Sequence, residues 1–219
     1  MLSLRSYLKK WFNLKKFRLL WLNYFRRKTF GAKLQSKVVD KDITIISQNC
    51  LGGIIYHDAN LKFNSPTINM WIPASEFIEL VRDLKHNLNG KLENITTNEG
   101  YPLGLLNGKI HIHFIHYKDF EEVENKWSSR LERVNYDNLR IVMTENDGCS
   151  YHDLQVFDEL PFEKKVVFTH KPYQEFKSSF YIRGFEKVGR VSYVMGWKGF
   201  WGARRCDEFD WIRFLNSNK

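Results

Sequence analysis

The chain has 219 residues, 34 of them Lys or Arg and 25 Asp or Glu, for a formal charge of +9. Eleven of the bases fall within 1–37 and no acid precedes Asp40, which leaves 23 bases against 25 acids and a net charge of −2 on the rest. Charge confined to a terminal arm predicts an anionic surface as partner and argues against nucleic acid, whose readers carry bases on the folded body. With 43% hydrophobic and 16% aromatic residues, a disordered or low-complexity chain is excluded.

The arm, 1–37, is expected to be an amphipathic helix. At 100° per residue, Leu4, Tyr7, Leu8, Trp11, Phe12, Leu14, Leu19, Trp21, Leu22 and Phe25 fall on one half, with Arg5, Lys9, Lys10, Lys16, Arg27 and Lys28 on the other. Phe17, Leu20 and Tyr24 intrude on the polar half, and Lys15, Arg18 and Arg26 on the apolar one. The longest apolar run, Leu19 to Leu22, is far short of the roughly 20 residues of a membrane span. No signal-peptide pattern precedes Lys37 either. Aromatic residues on one side and bases on the other suit a helix lying among lipid headgroups. The plainer alternative is a helix packed on the body or on a partner.

The remaining residues, 38–219, are expected to form a single domain. Asp42–Ser47 reads as a buried strand and Thr67–Ile72 as an extended run. Pro73 suits a first turn, followed by one helix through Phe77, Leu80, Val81, Leu84 and Leu88 to Asn89-Gly90. Lys109–Tyr117 is a strand candidate. Asp119 and Glu122 make a capping box for a helix buried through Phe120, Val123, Trp127, Leu131 and Val134. Leu139–Met143 is a strand, Ser150–Leu160 a short helix, and Lys165–Thr169, Ser178–Arg183 and Arg190–Val194 further strands. Asp207 is expected to cap a closing helix through Leu215. Strands alternating with helices predict a three-layer α/β/α fold with a mixed or mostly parallel sheet, preceded by the basic helix.

In such folds ligands bind beyond the carboxyl ends of the strands. Ser47, Gln48, Asn49 and Cys50 follow the first strand, His116 and Tyr117 the I-H-I-H-F-I-H-Y strand, Thr144, Asp147 and Cys149 the L-R-I-V-M strand, and Thr169 and His170 the next. Cys50, followed by two glycines, is either a nucleophile or a small buried residue at a packed turn. His113 or His116 would be its base. His111 and His113 share a strand face, the spacing of a metal pair, but no further ligands lie near, so no metal is expected. Arg130 and Arg133 suit a phosphate, or form a solvated helix face. Asp147 is a base candidate or simply turn chemistry. Three cysteines, odd in number and far apart, favour a reducing compartment. The sequence names no cofactor.

The fragments I-I-S-Q-N-C-L-G-G-I-I-Y, F-N-S-P-T-I-N, Y-P-L-G-L-L, I-H-F-I-H-Y, K-W-S-S-R-L-E-R-V-N-Y-D-N-L, D-G-C and F-D-E-L-P-F-E-K-K-V-V-F-T, in that order, resemble a bacterial family. It is the exopolysaccharide biosynthesis protein family, domain of unknown function 1919, and the resemblance covers Thr44 to Pro172. It implies a three-layer α/β domain and a part in capsule or other surface-glycan assembly. It also implies, as recurring polar residues, Ser47, Asn49, Cys50, Ser65, Asn69, His113, His116, Arg130, Arg133, Asn135, Asn138 and Asp147. The leading expectation is a cytoplasmic protein, peripheral on the inner face of the plasma membrane, acting as a transferase, such as a glycosyltransferase, on a sugar nucleotide or lipid-linked sugar. Asn49, His113, His116, Arg130 and Asp147 would line its site. A cysteine-dependent acyltransferase or hydrolase using Cys50, and a non-catalytic membrane-docked adaptor, are the alternatives.

Overall fold

A computed structural model describes residues 4–216, with side chains from Leu14 onward. The expected pattern of Leu4, Tyr7, Leu8, Trp11 and Phe12 lies outside the described side chains. From Leu4 onward the arm is helical: α1 (Leu4–Arg26) runs through one wide π turn (Arg27–Gly31) into α2 (Ala32–Lys37).

The central sheet joins β1 (Thr44–Ser47), β5 (Leu139–Thr144), β6 (Lys165–Thr169) and β7 (Ser179–Tyr181) in that order, every pair parallel. Alternation along the strands splits their apolar residues between two cores. Ile46, Ile141, Met143 and Val167 pack with α4 (Ala74–Arg82), α6 (Phe120–Leu131) and α7 (Tyr151–Glu159). Ile45, Val142, Val166 and Phe168 pack with α2, α3 (Leu51–Asp58) and α8 (Trp211–Leu215). The three-layer α/β/α expectation holds, with a parallel sheet.

An edge strand exposes unpaired backbone groups, and β1 covers its own with side chains. The buried Tyr56 hydroxyl accepts from Ile45 N (2.8 Å) and donates to the Ile43 carbonyl (3.1 Å). Farther along, Thr67 Oγ1 accepts from Ser47 N at 3.0 Å. The run Thr67–Ile72 therefore lies beside β1 without joining its ladder and is bent at Asn69 (φ 60°), so the extended reading is corrected there; its strand-like pairing is a bridge between Trp71 and His113.

Several local expectations are corrected. The helix from Pro73 breaks at Asp83 (φ −132°, ψ 64°) into α4 and α5 (Leu84–Leu88). β2 (Leu92–Ile95), β3 (Leu103–Leu106) and β4 (Ile110–His113) form an antiparallel meander, so the strand foreseen over Lys109–Tyr117 ends at His113, and two strands were not foreseen at all. Asp119 Oδ1 caps α6 through Glu122 N, but Glu122 takes Lys118 N instead of closing the box. Ser150 and Asp153 do close a reciprocal box on α7. Arg190–Val194 is a loop held by Val191 N on the Glu145 carbonyl. Asp210, not Asp207, caps α8.

Asp207 has other work, because it helps fix the arm. Arg26, 2% exposed, gives Nε to Asp58 Oδ2 (2.8 Å), Nη1 to Asp207 Oδ2 (2.7 Å) and Nη2 to Asp207 Oδ1 (3.0 Å). Burial alone would lower its pKa; the bonds to Asp207 and Asp58 outweigh it and hold the guanidinium more firmly charged. A short hairpin of β8 (Trp197–Lys198) and β9 (Ala203–Arg204) clasps the same stretch of helix. Trp21 Nε1 donates to the Phe200 carbonyl at 3.2 Å, and Phe25 meets Trp201 edge-on at 5.0 Å. At Gly202 (φ 73°) a Cβ would sit 2.3 Å from the Leu22 carbonyl oxygen, so only glycine lets the hairpin approach this closely.

Candidate functional site

The turn from β1 into α3 sets the site. Ser47 Oγ accepts Gly52 N, and a Cβ on Gly52 would lie 2.7 Å from the Ser47 Cβ, which accounts for the first glycine of the S-Q-N-C-L-G-G run. Gln48, fully buried, holds the ends of β1 and β5 together: its N donates to the Val142 carbonyl, and its Oε1 accepts Thr144 N at 2.9 Å and Thr144 Oγ1 at 3.1 Å. Asn49 Nδ2 reaches Thr144 Oγ1 at 2.9 Å while its Oδ1 accepts Leu51 N.

Two adjoining hollows lie over these strand ends. The outer cleft, about 810 Å³, runs between α1 and α3. Its lining includes Leu20, Tyr24 and Arg27 from the arm, Cys50, Ile54 and His57 from the β1–α3 segment, and Phe63, Asn69, His116, Met195 and Arg204 from loops and the hairpin. The inner pocket, about 200 Å³, is walled by Asn49, Trp71, Thr144, Asn146, Asp147 and the loop Val191–Met195. Cys50, Ile115, Tyr193 and Met195 border both.

The two hollows differ in charge. Arg27 and Arg204 line the cleft without an ion pair to a carboxylate among the described residues, whereas the Arg26 charge there is taken up by Asp58 and Asp207. Arg204 stacks over Trp197 (4.0 Å) and gives Nη1 to the Met195 carbonyl, but its buried Nε has no partner among the described residues. Burial, then the neighbouring Arg26, pull its pKa down. Among the described residues no Lys, Arg or His lines the inner pocket. There Asp147 adopts a left-handed φ of 52°, and burial raises its carboxyl above the ordinary range despite the pull of Arg190.

Of the residues expected from sequence, Asn49, Cys50, Asn69, His116 and Asp147 come together around these hollows. The others do not. Ser47 and the buried Ser65 are spent on local hydrogen bonds, Ser65 Oγ meeting Thr67 Oγ1 at 3.0 Å. Arg130 is buried with Nη1 on the Tyr117 hydroxyl, and Arg133 clamps the Phe63 carbonyl through Nε and Nη2. These arginines brace a loop instead of facing a phosphate. Asn135 and Asn138 tie Asp42 and Asp40 to the start of β5, at the opposite strand ends.

His113 lies flat on Trp71 (3.7 Å between centroids, 9° between planes), with Nδ1 3.2 Å from the Tyr101 hydroxyl. Burial and the nearby His111 lower its pKa. His111 is engaged by Glu76, so the strand pair is held by two different neighbours. Among the described residues no group of His, Cys, Asp and Glu could hold a metal ion. Cys50 donates its thiol to the Met70 carbonyl at 3.7 Å, bonds neither histidine, and burial pushes its pKa up to about 11.

The residues reasoning from sequence passed over are Trp71, Asn146, Arg204 and the buried Glu145. Glu145 accepts from His170 Nδ1 (2.6 Å) and the Tyr173 hydroxyl (2.7 Å), binding the ends of β5 and β6. Position after a strand was the one available signal, and it flagged His170 but not its carboxylate partner.

Among the described residues no helix is long and apolar enough to cross a membrane. The arm and hairpin nevertheless present apolar side chains outward: Phe17 is 66% exposed, Leu20 61%, Phe200 74% and Trp201 64%.

The chain is 39% identical over 195 residues to an uncharacterized protein of Haemophilus influenzae, covering 89% of this chain and 94% of that one. The family model described as "Domain of unknown function (DUF1919)" matches residues 21–216, beginning inside the arm and taking in the clasp on Arg26 as well as both hollows. The chain belongs to that family.

Proposed function

We propose that the protein acts in surface-glycan assembly on the cytoplasmic leaflet, as a transferase whose cleft receives a phosphate-bearing sugar donor or acceptor, with a lipid-linked sugar favoured over a soluble sugar nucleotide. One observation carries the reading: the basic, aromatic helix that suits an anionic membrane is itself a wall of the cleft, through Leu20, Tyr24 and Arg27. A ligand with an apolar chain and an anionic head would find apolar groups on the arm side and unpaired guanidinium groups within. A volume of about 810 Å³ is in the range of cofactor and substrate sites, roughly 300–1,000 Å³. The cysteine mechanism has less support, since a thiol near 11 with no histidine bonded to it is a poor nucleophile at neutral pH.

The test uses the full chain with three vesicle preparations: phosphatidylcholine, phosphatidylcholine with phosphatidylglycerol, and the latter doped with a polyprenyl phosphate. Binding is expected to need the anionic lipid and to tighten with the polyprenyl phosphate. Arg27→Ala with Arg204→Ala should remove the second increment while keeping the first. Equal binding to doped and undoped anionic vesicles, together with a melting temperature unmoved by sugar nucleotides, would overturn the proposal.

A further inference from the structure

We infer that the inner pocket is a monosaccharide subsite, holding the hydroxylated ring of a sugar phosphate whose anionic part lies in the outer cleft; this rests on the reading of the cleft just given. Its volume of about 200 Å³, set against about 810 Å³ for the cleft, suits a single ring better than a whole nucleotide. The pocket and the cleft adjoin, sharing Cys50, Ile115, Tyr193 and Met195 in their walls, which is the proximity a ligand with a ring in one and an anionic head in the other needs.

Its chemistry suits hydroxyl groups and opposes phosphate. Asn49 Nδ2 uses one hydrogen on Thr144 Oγ1, and Asn146 Nδ2 one on Asp147 Oδ1, so each amide retains a second donor. Asp147 accepts at Oδ1 from Asn146 and has no hydrogen bond at Oδ2 among the described residues, leaving an acceptor for a hydroxyl. Its left-handed backbone, pinned by Ala74 N on the Asp147 carbonyl, is a sparsely populated conformation of the kind retained where a side chain must be aimed. Trp71 supplies an aromatic wall fixed by its stack on His113. Arg190 stands near enough to pull on Asp147, but among the described residues no cation lines the pocket itself, so its carboxylate disfavours an anion there, whereas the cleft next door carries Arg27 and Arg204. Beside the pocket wall, Gln48 holds Thr144 yet keeps a buried Nε2 with no partner among the described residues.

The experiment is ligand-observed saturation-transfer NMR on the full chain with inorganic phosphate, a methyl hexoside and a panel of hexose 1-phosphates. At least one hexose 1-phosphate is expected to bind about tenfold more tightly than phosphate, with saturation on its ring protons. Asp147→Asn keeps the size and tolerates the left-handed backbone, and Trp71→Phe keeps the stack; each should erase that tenfold gain and leave phosphate binding unchanged. If every hexose 1-phosphate binds no better than phosphate, or both variants keep the gain, the subsite is refuted while the cleft reading stands. If no probe binds in the millimolar range, both fall together.

Discussion

Replacing Arg26 with alanine should detach the arm. The side chain is 2% exposed and its partners Asp58 and Asp207 are 4% and 12% exposed, so the network is desolvated. Removing the guanidinium leaves two buried carboxylates facing each other with no counter-charge, and also vacates the bond to the Gly202 carbonyl. Breaking a buried pair by removing one partner costs about 3–5 kcal/mol. In a chain of this length each kcal/mol moves the melting temperature by roughly 2–4 °C, so calorimetry should show a fall of about 10 °C. Trypsin should cut sooner after Arg27 and Lys28 in the variant, since those bonds become accessible once α1 leaves the hairpin. Arg26→Lys, which keeps the charge but cannot fork to both acids, should fall between the two. A melting temperature within about 2 °C of the parent, with an unchanged tryptic pattern, would refute the idea that this network holds the arm.

Tyr56→Phe strips the edge of β1 of its side-chain cover and leaves a buried N–H and C=O without partners; urea unfolding should show a loss of about 3 kcal/mol, and a loss below about 1 kcal/mol would mean water replaces the hydroxyl. Because burial pushes the Cys50 thiol up to about 11, it stays protonated through neutral pH, and its alkylation by iodoacetamide should be slow at neutral pH and accelerate as the pH approaches that value; rapid labelling of Cys50 at neutral pH would restore the cysteine mechanism. Phe200→Ser removes the most exposed apolar side chain of the hairpin tip and leaves the Trp201–Phe25 contact in place, so thermal stability should hardly change while partition onto anionic vesicles weakens about tenfold; unchanged partition would confine membrane contact to the arm.

What could be read from the sequence follows from how each signal arises. The strands T-I-I-S, L-R-I-V-M-T and K-V-V-F-T are β-branched runs buried on both faces, the pattern of a parallel sheet, and the helices between them repeat apolar residues at helical spacing. The meander was hidden because L-E-N-I is half exposed and L-G-L-L carries a glycine behind a proline, both weak strand formers. Asn49, Cys50 and Asp147 were legible as candidates because they follow strands. Trp71 was not, because it sits on a run held to β1 by side chains and to β4 by one bridge. Arg130 and Arg133 are ambiguous for a different reason: a basic helix stripe looks the same whether its forks meet a phosphate or, as in this structure, a tyrosine hydroxyl and a backbone carbonyl.

The arm's imperfect amphipathicity has the most consequence. Phe17, Leu20 and Tyr24, which spoil the polar half of a simple wheel, are all exposed, whereas Leu22 and Arg26 are buried against the body. With Leu14 and Trp21 these residues span an arc of about 120° at 100° per residue, roughly opposite Leu22 and Arg26; Leu19, 49% exposed, lies outside that arc, next to Arg26. Described α1 thus has two working faces, one turned to the body and anchored by a cation, the other apolar and flanked by Lys16, Arg18 and Arg27. A helix serving only to pack would leave no aromatic face in water, and a loose tether would have no buried ion network. Having both makes the helix a rigid wall, and on the proposed reading it sets the cleft within about one helix diameter, roughly 10 Å, of the lipid headgroups. A substrate whose chain stayed in the bilayer could then bring its phosphate to Arg27 and Arg204 without leaving the membrane.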